Sequence, residues 1–239
     1  MEPSAQEPPQ PCNRLLGALL RACPGLDEAL VHCSEAPGTQ LYQEGDVIEN
    51  VYFPTRGVVS IVVRLLDGAM ADVQTIGNEG MVGLSAWLEI PTSPDTALQQ
   101  APGELVRIAV GTFRRAAQRS EPARQLLASY AGYSLRFGNQ TCVCNARHAI
   151  PQRLCRWLLT SADRDGSDEL QMSQVMLAEM LGVRRQSVSE ILGALRRSGV
   201  VAPRRGGIRI LDRARLQEAA CECYGATRAA YARLVEPLL

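Results

Sequence analysis

The spacing of apolar residues changes along the chain and predicts a different kind of element in each part. Residues 13–33 place apolar side chains three and four apart, with a break at Pro24-Gly25, which predicts two short helices. From Thr39, short β-branched runs alternate with turn residues, as in VVSIVVRLL, MADVQTI and the returning run ELVRIAV at 104–110. Such regular turns predict an antiparallel roll or barrel.

A long helix is predicted after the roll. Ser120 can cap it, Pro122 falls in its first turn, and the helical pattern continues to about Asn145. One stripe of this helix repeats at three and four residues, which is the spacing of a narrow seam between paired helices. We expect the stripe to be a dimer seam, with packing on the roll as the alternative. Its members are Leu127, Tyr130, Ser134, Phe137, Thr141 and Cys144.

Further helices are predicted after the segment HAIP. Pro151 opens one whose inner face carries Trp157, and the polar segment 161–170 is expected to close it as a loop. Ser173 is a natural N-cap for the helix that follows.

The segment that begins at Ser173 has the spacing of a helix-turn-helix. Ala178 is small enough to let two helices cross closely, and Gly182, four residues later, permits a sharp turn. Val188 and Ile191 then fill the crossing. The run GVVAPRRGGIRIL adds two β-branched segments about a Gly-Gly turn, which predicts a hairpin wing. Helix, turn, helix and wing in this order predict a winged DNA-binding domain.

The outward side of the second helix carries the candidate chemistry. Arg185 can pair with guanine, Gln186 with adenine and Glu190 with cytosine, mostly at the helix end that enters a major groove. Ser187 and the wing arginines are assigned to phosphate or minor-groove contacts. The predicted DNA-binding residues are Arg184, Arg185, Gln186, Ser187, Ser189, Glu190, Arg197, Arg204 and Arg205.

Charge divides the chain in two and supports this assignment. All 25 basic residues are arginine, and 25 acidic residues balance them. Residues 1–146 hold ten Arg against fifteen Asp plus Glu, whereas residues 147–215 hold thirteen Arg against seven. A basic segment joined to an acidic one is typical of a protein in which one domain meets a polyanion.

Composition bounds the class of protein. The chain of 239 residues is long enough for two moderate domains, and its Pro-rich start predicts a disordered tail at 1–12. We expect a cytoplasmic protein without a membrane partner, because no signal-peptide pattern or membrane-length apolar run occurs. The eight cysteines are then expected to be free thiols.

The cysteines and histidines lack the sequence spacing of a metal site. The pairs 142/144 and 221/223 are two residues apart, and on a helix this separation rotates side chains by about 200° to opposite faces. His32 and His148 have no zinc-ligand spacing and no nucleophile nearby in the sequence. We therefore predict no metal site and no enzyme.

The whole pattern resembles the cyclic AMP receptor/FNR (CRP/FNR) family of bacterial transcription regulators over roughly residues 13–215. Its most specific parts are LAEMLGVRRQSVSEILGALRRSGVV, the wing RRGGIRIL and the turn GNEGMVG, and CNARHAIPQRLCRWLL looks like the hinge of one branch. The resemblance implies an α+β fold with a jelly-roll-like antiparallel β-roll of the cyclic-nucleotide-binding type and a C-terminal winged helix-turn-helix. The expected divisions are a roll at 13–119, a dimerisation helix at 120–146, a winged domain at 147–215 and a helical extension at 216–239.

The resemblance also implies partners. Family members are homodimers on pseudo-palindromic double-stranded DNA, and an activator would contact RNA polymerase. An iron–sulfur cluster is not expected, because Cys12, Cys23 and Cys33 are ten or eleven residues apart, unlike the clustered ligands of the oxygen-sensing branch.

The candidate effector pocket departs from the family pattern. Members that bind cyclic AMP carry a Gly-Glu pair and an Arg followed by a small residue, where this chain has Gly83-Leu84 and Thr96-Ala97. Asp95 places a negative charge where an anion would lie. Cyclic AMP in the usual mode is not expected, and another small-molecule effector, or none, stays open.

Two hypotheses of function follow. The first is a sequence-specific DNA-binding transcription regulator. The second is a signalling module without DNA, in which the roll binds a small molecule and the winged domain contacts protein. The arginines favour the first, because the core of a protein interface is depleted in charge.

Overall fold

The computed structural model describes residues 13–239, so the predicted tail at 1–12, including Cys12, lies outside the described residues. Seven strands follow one another in the N-terminal part: β1 (Val31–Glu35), β2 (Gln40–Tyr42), β3 (Asn50–Arg56), β4 (Val59–Arg64), β5 (Met70–Ile76), β6 (Thr96–Gln99) and β7 (Gly103–Ala109). They form two antiparallel sheets with the orders β1-β7-β3 and β2-β6-β4-β5. This arrangement, called the roll below, confirms the predicted fold of the region.

Two strands of the roll were not predicted from the pattern. The second expected helix is only a 3₁₀ turn at Leu26–Ala29, because Val31 already pairs with Arg107 on β7 and starts β1. Strand β6 has four residues, all buried between β2 and β4. A fully buried strand this short shows no alternation of polar and apolar residues.

Nine helices lie in the described part of the chain. They are α1 (Arg14–Ala22), α2 (Leu84–Trp87), α3 (Val110–Arg119), α4 (Glu121–Arg147), α5 (Ile150–Asp165), α6 (Gln174–Leu181), α7 (Arg185–Arg197), α8 (Arg213–Ala219) and α9 (Cys223–Leu234), with a 3₁₀ turn at Glu236–Leu238. A third sheet, of order β8-β10-β9, combines β8 (Glu169–Leu170), β9 (Val201–Arg204) and β10 (Gly207–Ile210). Helices α5–α8 and this sheet are called the winged domain below.

Helix α4 begins where its cap predicts, but its buried stripe does not face a second copy. The Ser120 hydroxyl accepts a hydrogen bond from Ala123 N. The predicted seam residues are wrong, because five of the six are at most 3 % exposed within a single chain, where α1, the roll and α9 cover them. These five are Leu127, Tyr130, Phe137, Thr141 and Cys144, and the sixth, Ser134, is half-buried and accepts a hydrogen bond from Gln74.

Helix α5 is longer than predicted, since residues 161–165 are helical and not part of a loop. The roll holds this last turn in place. The carbonyl of Arg164 accepts a hydrogen bond from Asn78 N at 3.0 Å, and Asp165 Oδ1 accepts one from Gly57 N at 2.6 Å. Gly166, with φ +71°, then ends the helix. Polar sequence in this segment therefore marks a contact between domains.

A buried ion pair lies where the roll, α4 and α5 meet. Arg164 Nε is 3.1 Å from Glu79 Oε1, and the two side chains are 6 % and 5 % exposed. Arg164 Nη2 also donates to the Tyr133 hydroxyl on α4 at 2.9 Å. The close approach depends on glycines in the same turn. A Cβ at Gly77 would lie 2.5 Å from Arg164 Cβ, and one at Gly80 would overlap the Tyr130 hydroxyl.

A second buried contact joins α5 to the roll. Trp157 Nε1 donates to Asp72 Oδ2 on β5 at 3.2 Å, and the Thr75 hydroxyl donates to the same oxygen at 2.6 Å. Burial raises the pKa of Asp72, and hydrogen bonds from its neighbours offset part of that effect. The winged domain is thus fixed to the roll through polar side chains that are buried, so water cannot replace their partners.

We expect Glu79→Gln to lower the free energy of unfolding by about 3–5 kcal/mol, because it leaves the buried Arg164 charge uncompensated. The control is Glu89→Gln, which breaks the pair between Glu89 and Arg114 at 2.7 Å, where Glu89 is 58 % exposed. An exposed pair contributes at most about 1 kcal/mol. Denaturant unfolding measures both variants, and equal losses would contradict the role given to the buried pair.

Candidate nucleic-acid interface

Local sequence signals build the crossing of α6 and α7. The Ser173 hydroxyl accepts a hydrogen bond from Met176 N at 3.1 Å and caps α6. Gly182 ends that helix with φ +62°, a left-handed conformation that costs other L-residues about 1–2 kcal/mol. Val183 N then donates to Ala178 O, and α7 begins at Arg185. The predicted N-cap, turn and start of the second helix are all present.

Apolar residues fix which side of α7 faces outward. Val188 and Leu192 are buried in the core of the winged domain, and Ile191 and Leu195 are partly buried against the same core. The opposite side is polar and exposed. The exposed charged or amide side chains of α7 and its N-cap are Arg184, Arg185, Gln186, Glu190, Arg196 and Arg197.

The predicted base-reading residues lie together at the N-terminal end of α7. Gln186 Nε2 donates to Glu190 Oε1 at 3.1 Å, one helical turn away, and Gln186 follows Arg185 directly in the sequence. The Ser189 hydroxyl, by contrast, donates to Gln174 Oε1 on α6 at 2.6 Å. Ser189 therefore ties the two helices together and is only partly exposed, as Ser187 is.

Arg197 lies at the other end of α7. Twelve residues separate it from Arg185, which corresponds to roughly 18 Å along the helix axis. The sequence interpretation overlooked Arg196, which lines a cleft between α7 and the wing together with Gln174 and Arg204. The 3.6-residue period of a helix alone places Arg196 and Arg197, which are consecutive, on different sides of α7.

The wing turns one residue earlier than predicted. Gly207 pairs with Arg204, so the two-residue turn is Arg205-Gly206, with Gly206 at φ +74°. Arg204 Nη1 lies 2.7 Å from Glu169 Oε2, and Arg209 lies 2.6 Å from the other oxygen of the same carboxylate. Arg205 is exposed and has no ion-pair partner among residues 13–239. The two arginines predicted for phosphate contact therefore differ in availability.

The base-reading end of α7 also borders the roll. A cleft of about 600 Å³ is lined on one side by residues 68–70, which connect β4 and β5, and on the other by Glu179, Arg184 and Arg185. Helix α6 packs on β5 at the same place. A change in the roll can therefore reach the exposed arginines directly.

The predicted effector positions surround a tyrosine. Tyr42 pairs with Ala97 on β6, and burial raises its pKa, while a hydrogen bond with the backbone of Gly83 opposes that shift. Leu84 packs against the core, and the Thr96 hydroxyl accepts a hydrogen bond from Glu44 N at 3.2 Å. Gly83 and Ala97, one from each candidate segment, thus both lie beside the buried Tyr42.

Acidic groups lie beside Thr96. Burial raises the pKa of Asp95, and the negative charge of Glu44 raises it further. An anionic ligand at Thr96 would meet these carboxylates and no basic side chain at the position where cyclic-AMP-binding members carry arginine.

The structure also brings together cysteines from two distant parts of the sequence. Cys142 is exposed and Cys144 buried, as expected for two positions on opposite sides of a helix. Cys221 and Cys223 were also expected on opposite sides of one helix. This was wrong, because Cys221 precedes α9 and only Cys223 belongs to that helix. Both cysteines are buried beside Cys144. The contact between α9 and the end of α4 that brings them there has no sequence signal.

Comparisons with known proteins agree with this architecture. The profile of the Crp-like helix-turn-helix domain matches residues 152–219, and that of the cyclic nucleotide-binding domain matches residues 34–120. No curated protein matches the chain. No helix within residues 13–239 has both the length and the apolar character needed to cross a membrane.

Two solved structures share the fold over most of the chain. FixK2 from Bradyrhizobium japonicum is 19 % identical, with a TM-score of 0.69 over 80 % of this chain and 98 % of its own. TTHB099, a CRP-family transcriptional regulator from Thermus thermophilus, is 23 % identical, with a TM-score of 0.66 over 79 % of this chain and 96 % of its own.

A third similar structure is the c-di-GMP-responsive global regulator CLP of Xanthomonas campestris. It is 18 % identical, with a TM-score of 0.61 over 83 % of this chain and 98 % of its own.

Proposed function

The chain belongs to the CRP/FNR family of transcription regulators, and from this premise we propose that it is a homodimer that reads a pseudo-palindromic DNA site through α7. The observation that carries the proposal is the cluster of exposed polar side chains at the N-terminal end of α7, on the side opposite to Val188 and Leu192. That end of a recognition helix contacts base edges in the major groove. The families and folds to which the chain is similar are those of regulators and not of enzymes.

We assign different tasks to the residues around α7. Arg185 donates two hydrogen bonds to guanine, and the linked pair Gln186 and Glu190 contacts the neighbouring bases. Arg184, Ser187, Arg196 and Arg197 contact phosphates, which adds affinity without sequence preference. Ser189 positions α7 against α6 through Gln174 and does not read a base.

The wing contributes mainly through Arg205. Its side chain is exposed at the turn, whereas Arg204 is engaged by Glu169. To contact a phosphate, Arg204 would have to leave Glu169. The loss of that ion pair would offset part of the free energy gained from the phosphate contact. Arg204 therefore contributes less to DNA affinity than Arg205.

The second copy packs on the exposed side of α4. A stripe with alternating spacings of four and three residues runs along this side, and its residues are small or apolar apart from one asparagine. Leu135 at its centre is 69 % exposed in the single chain. Small side chains on both sides of Leu135 let two helices approach closely. The stripe consists of Ala128, Gly132, Leu135, Asn139, Cys142 and Ala146.

The effector of the roll is a small molecule other than cyclic AMP in its usual mode. Support comes from Tyr42 between the two candidate segments and from the carboxylates of Asp95 and Glu44 beside Thr96. A ligand that shifts Tyr42 would act on the sheet that contains β5, on which α6 packs. Cyclic di-GMP, to which the similar CLP responds, belongs in a first screen of effectors. In the cytoplasm, an activated dimer would contact RNA polymerase if it stimulates transcription.

The direct test is a fluorescence anisotropy titration of the full-length protein against DNA from its own upstream region, with a shuffled sequence as control. We expect tighter binding to the native sequence, and an affinity that falls as salt rises because bound counterions are released. Absence of salt-sensitive specific binding with every effector screened would contradict the proposal. It would favour a winged domain that contacts protein.

Two arginine variants should differ in kind. Arg185→Ala is expected to remove about 1–3 kcal/mol of base discrimination. Arg205→Ala should weaken binding to all sequences equally and reduce the salt slope by about 1. Arg204→Ala, the matched control, should change the slope less than Arg205→Ala does. Indistinguishable effects of Arg185→Ala and Arg205→Ala would refute the division of tasks.

The dimer seam is tested by one charge on the exposed side of α4. Leu135→Asp is expected to give a monomer in sedimentation velocity, because a carboxylate would be buried at the helix pair. Val47→Asp is the control, since Val47 is also 69 % exposed but lies on the roll. It should remain dimeric. A Leu135→Asp protein that sediments as a dimer would place the seam elsewhere.

A further inference from the structure

Four potential metal ligands from two distant parts of the chain meet beside the junction of α4 and α5. Cys144 lies in the last turn of α4, and His148 follows the end of that helix. Cys223 is the first residue of α9, and Cys221 lies two residues before it. One ligand atom from each of the four lies within 4.8 Å of all the others. We call these residues the thiol cluster.

Two distances within the thiol cluster are close to those of a tetrahedral site. Cys144 Sγ lies 3.5 Å from Cys221 Sγ, and Cys223 Sγ lies 3.5 Å from His148 Nδ1. Bonds of about 2.3 Å to sulfur and about 2.0 Å to nitrogen give tetrahedral edges of roughly 3.8 Å between two sulfurs and roughly 3.5 Å between sulfur and nitrogen. One ion can therefore reach all four atoms with small side-chain movements.

The orientation of His148 is an independent indication of metal binding. Its Nδ1 faces Cys223, and its Nε2 lies 3.1 Å from Glu222 Oε1. Histidines that bind metals usually donate their second ring N–H to a carboxylate, which fixes the ring and its tautomer. Neutral His148, with its proton on Nε2, would donate to Glu222 and present the Nδ1 lone pair to the cluster.

Buried positive charge lies next to the thiol cluster. Arg156 is 5 % exposed, its charge acts on Cys144 and Cys221, and its Nε has no hydrogen-bond partner in the described part of the chain. Arg153 also acts on both thiols electrostatically. Three thiolates, one neutral imidazole and a divalent ion have a net charge of −1. The buried guanidinium would offset that charge.

We propose that Cys144, His148, Cys221 and Cys223 bind one Zn²⁺ per chain in a closed tetrahedral site. Three sulfurs and an imidazole suit zinc and exclude calcium and magnesium, which prefer oxygen ligands. Four protein ligands leave no open coordination position, so the ion is structural and not catalytic. On binding, the three thiols release their protons to solvent, and no electrons are transferred.

The ion would join the C-terminal segment to the hinge of the molecule. His148 lies between the end of α4 and the start of α5 at Ile150, where the helix proposed for dimerisation leads into the winged domain. Zinc bound to the last turn of α4, to His148 within this hinge and to the segment at the start of α9 would hold the beginning of the hinge in one conformation. This inference goes beyond the proposed function and does not depend on DNA binding.

Metal analysis of the full-length protein, purified under reducing conditions, tests the proposal. We expect one zinc per chain, and replacement by Co²⁺ should give the thiolate charge-transfer and intense d–d absorption of a tetrahedral site. Cys223→Ser and His148→Gln should lose this absorption or weaken metal binding at least tenfold. Cys33→Ser is the control, because Cys33 is a free thiol on β1 outside the thiol cluster, and it should bind metal as the wild type does.

Glu222→Gln separates a metal site from a merely structural cluster. Glu222 is 79 % exposed, so its replacement leaves the fold intact, but loss of a carboxylate partner should lower zinc affinity about 10–100-fold in competition with a chromogenic chelator. Circular dichroism spectra of both proteins should coincide. Wild-type protein without stoichiometric zinc and without the cobalt spectrum would overturn the proposal. The proposal would also be overturned if the protein contained iron and sulfide. The same holds if protein isolated with its thiols alkylated contained a disulfide between Cys144 and Cys221.

Discussion

The fold depends on the buried ion pair between Glu79 and Arg164. Neither charge has access to water, so each requires the other, and together they join the turn after β5 to the last turn of α5. Arg164 also reaches Tyr133 on α4, which places three elements around one guanidinium. The turn has room for this contact because Gly77 has no side chain. A Cβ at this position would collide with Arg164. This pair, together with the contact between Trp157 and Asp72, fixes where the winged domain lies relative to the roll.

The two sides of α4 then have separate tasks. Its buried side is filled from within the same chain by α1, the roll and α9, and its other side presents Leu135 and small residues. The thiol cluster lies at the end of this helix, where the chain turns into α5. A helix that supports the protomer core along its length and ends at a fixed hinge can transmit a change in the roll to the winged domain.

Local signals in the sequence predicted local structure well. The caps at Ser120 and Ser173 and the turn at Gly182 depend on neighbouring residues alone, and all three are present. The seam predicted from the sequence was on the wrong side of α4, because a stripe spaced by three and four residues looks the same whether α9 or a second copy covers it. The thiol cluster was missed for a similar reason. Its ligands are separated by more than seventy residues and meet only through the packing of α9 on α4.

Two copies of α7 are proposed to read DNA side by side, and hydroxyl-radical footprinting of the full-length protein on its operator measures this most directly. Two protected patches separated by about one helical turn, roughly 34–36 Å, are predicted, because each recognition helix enters one of two successive major grooves. A single patch, or protection without regular spacing, would contradict the account.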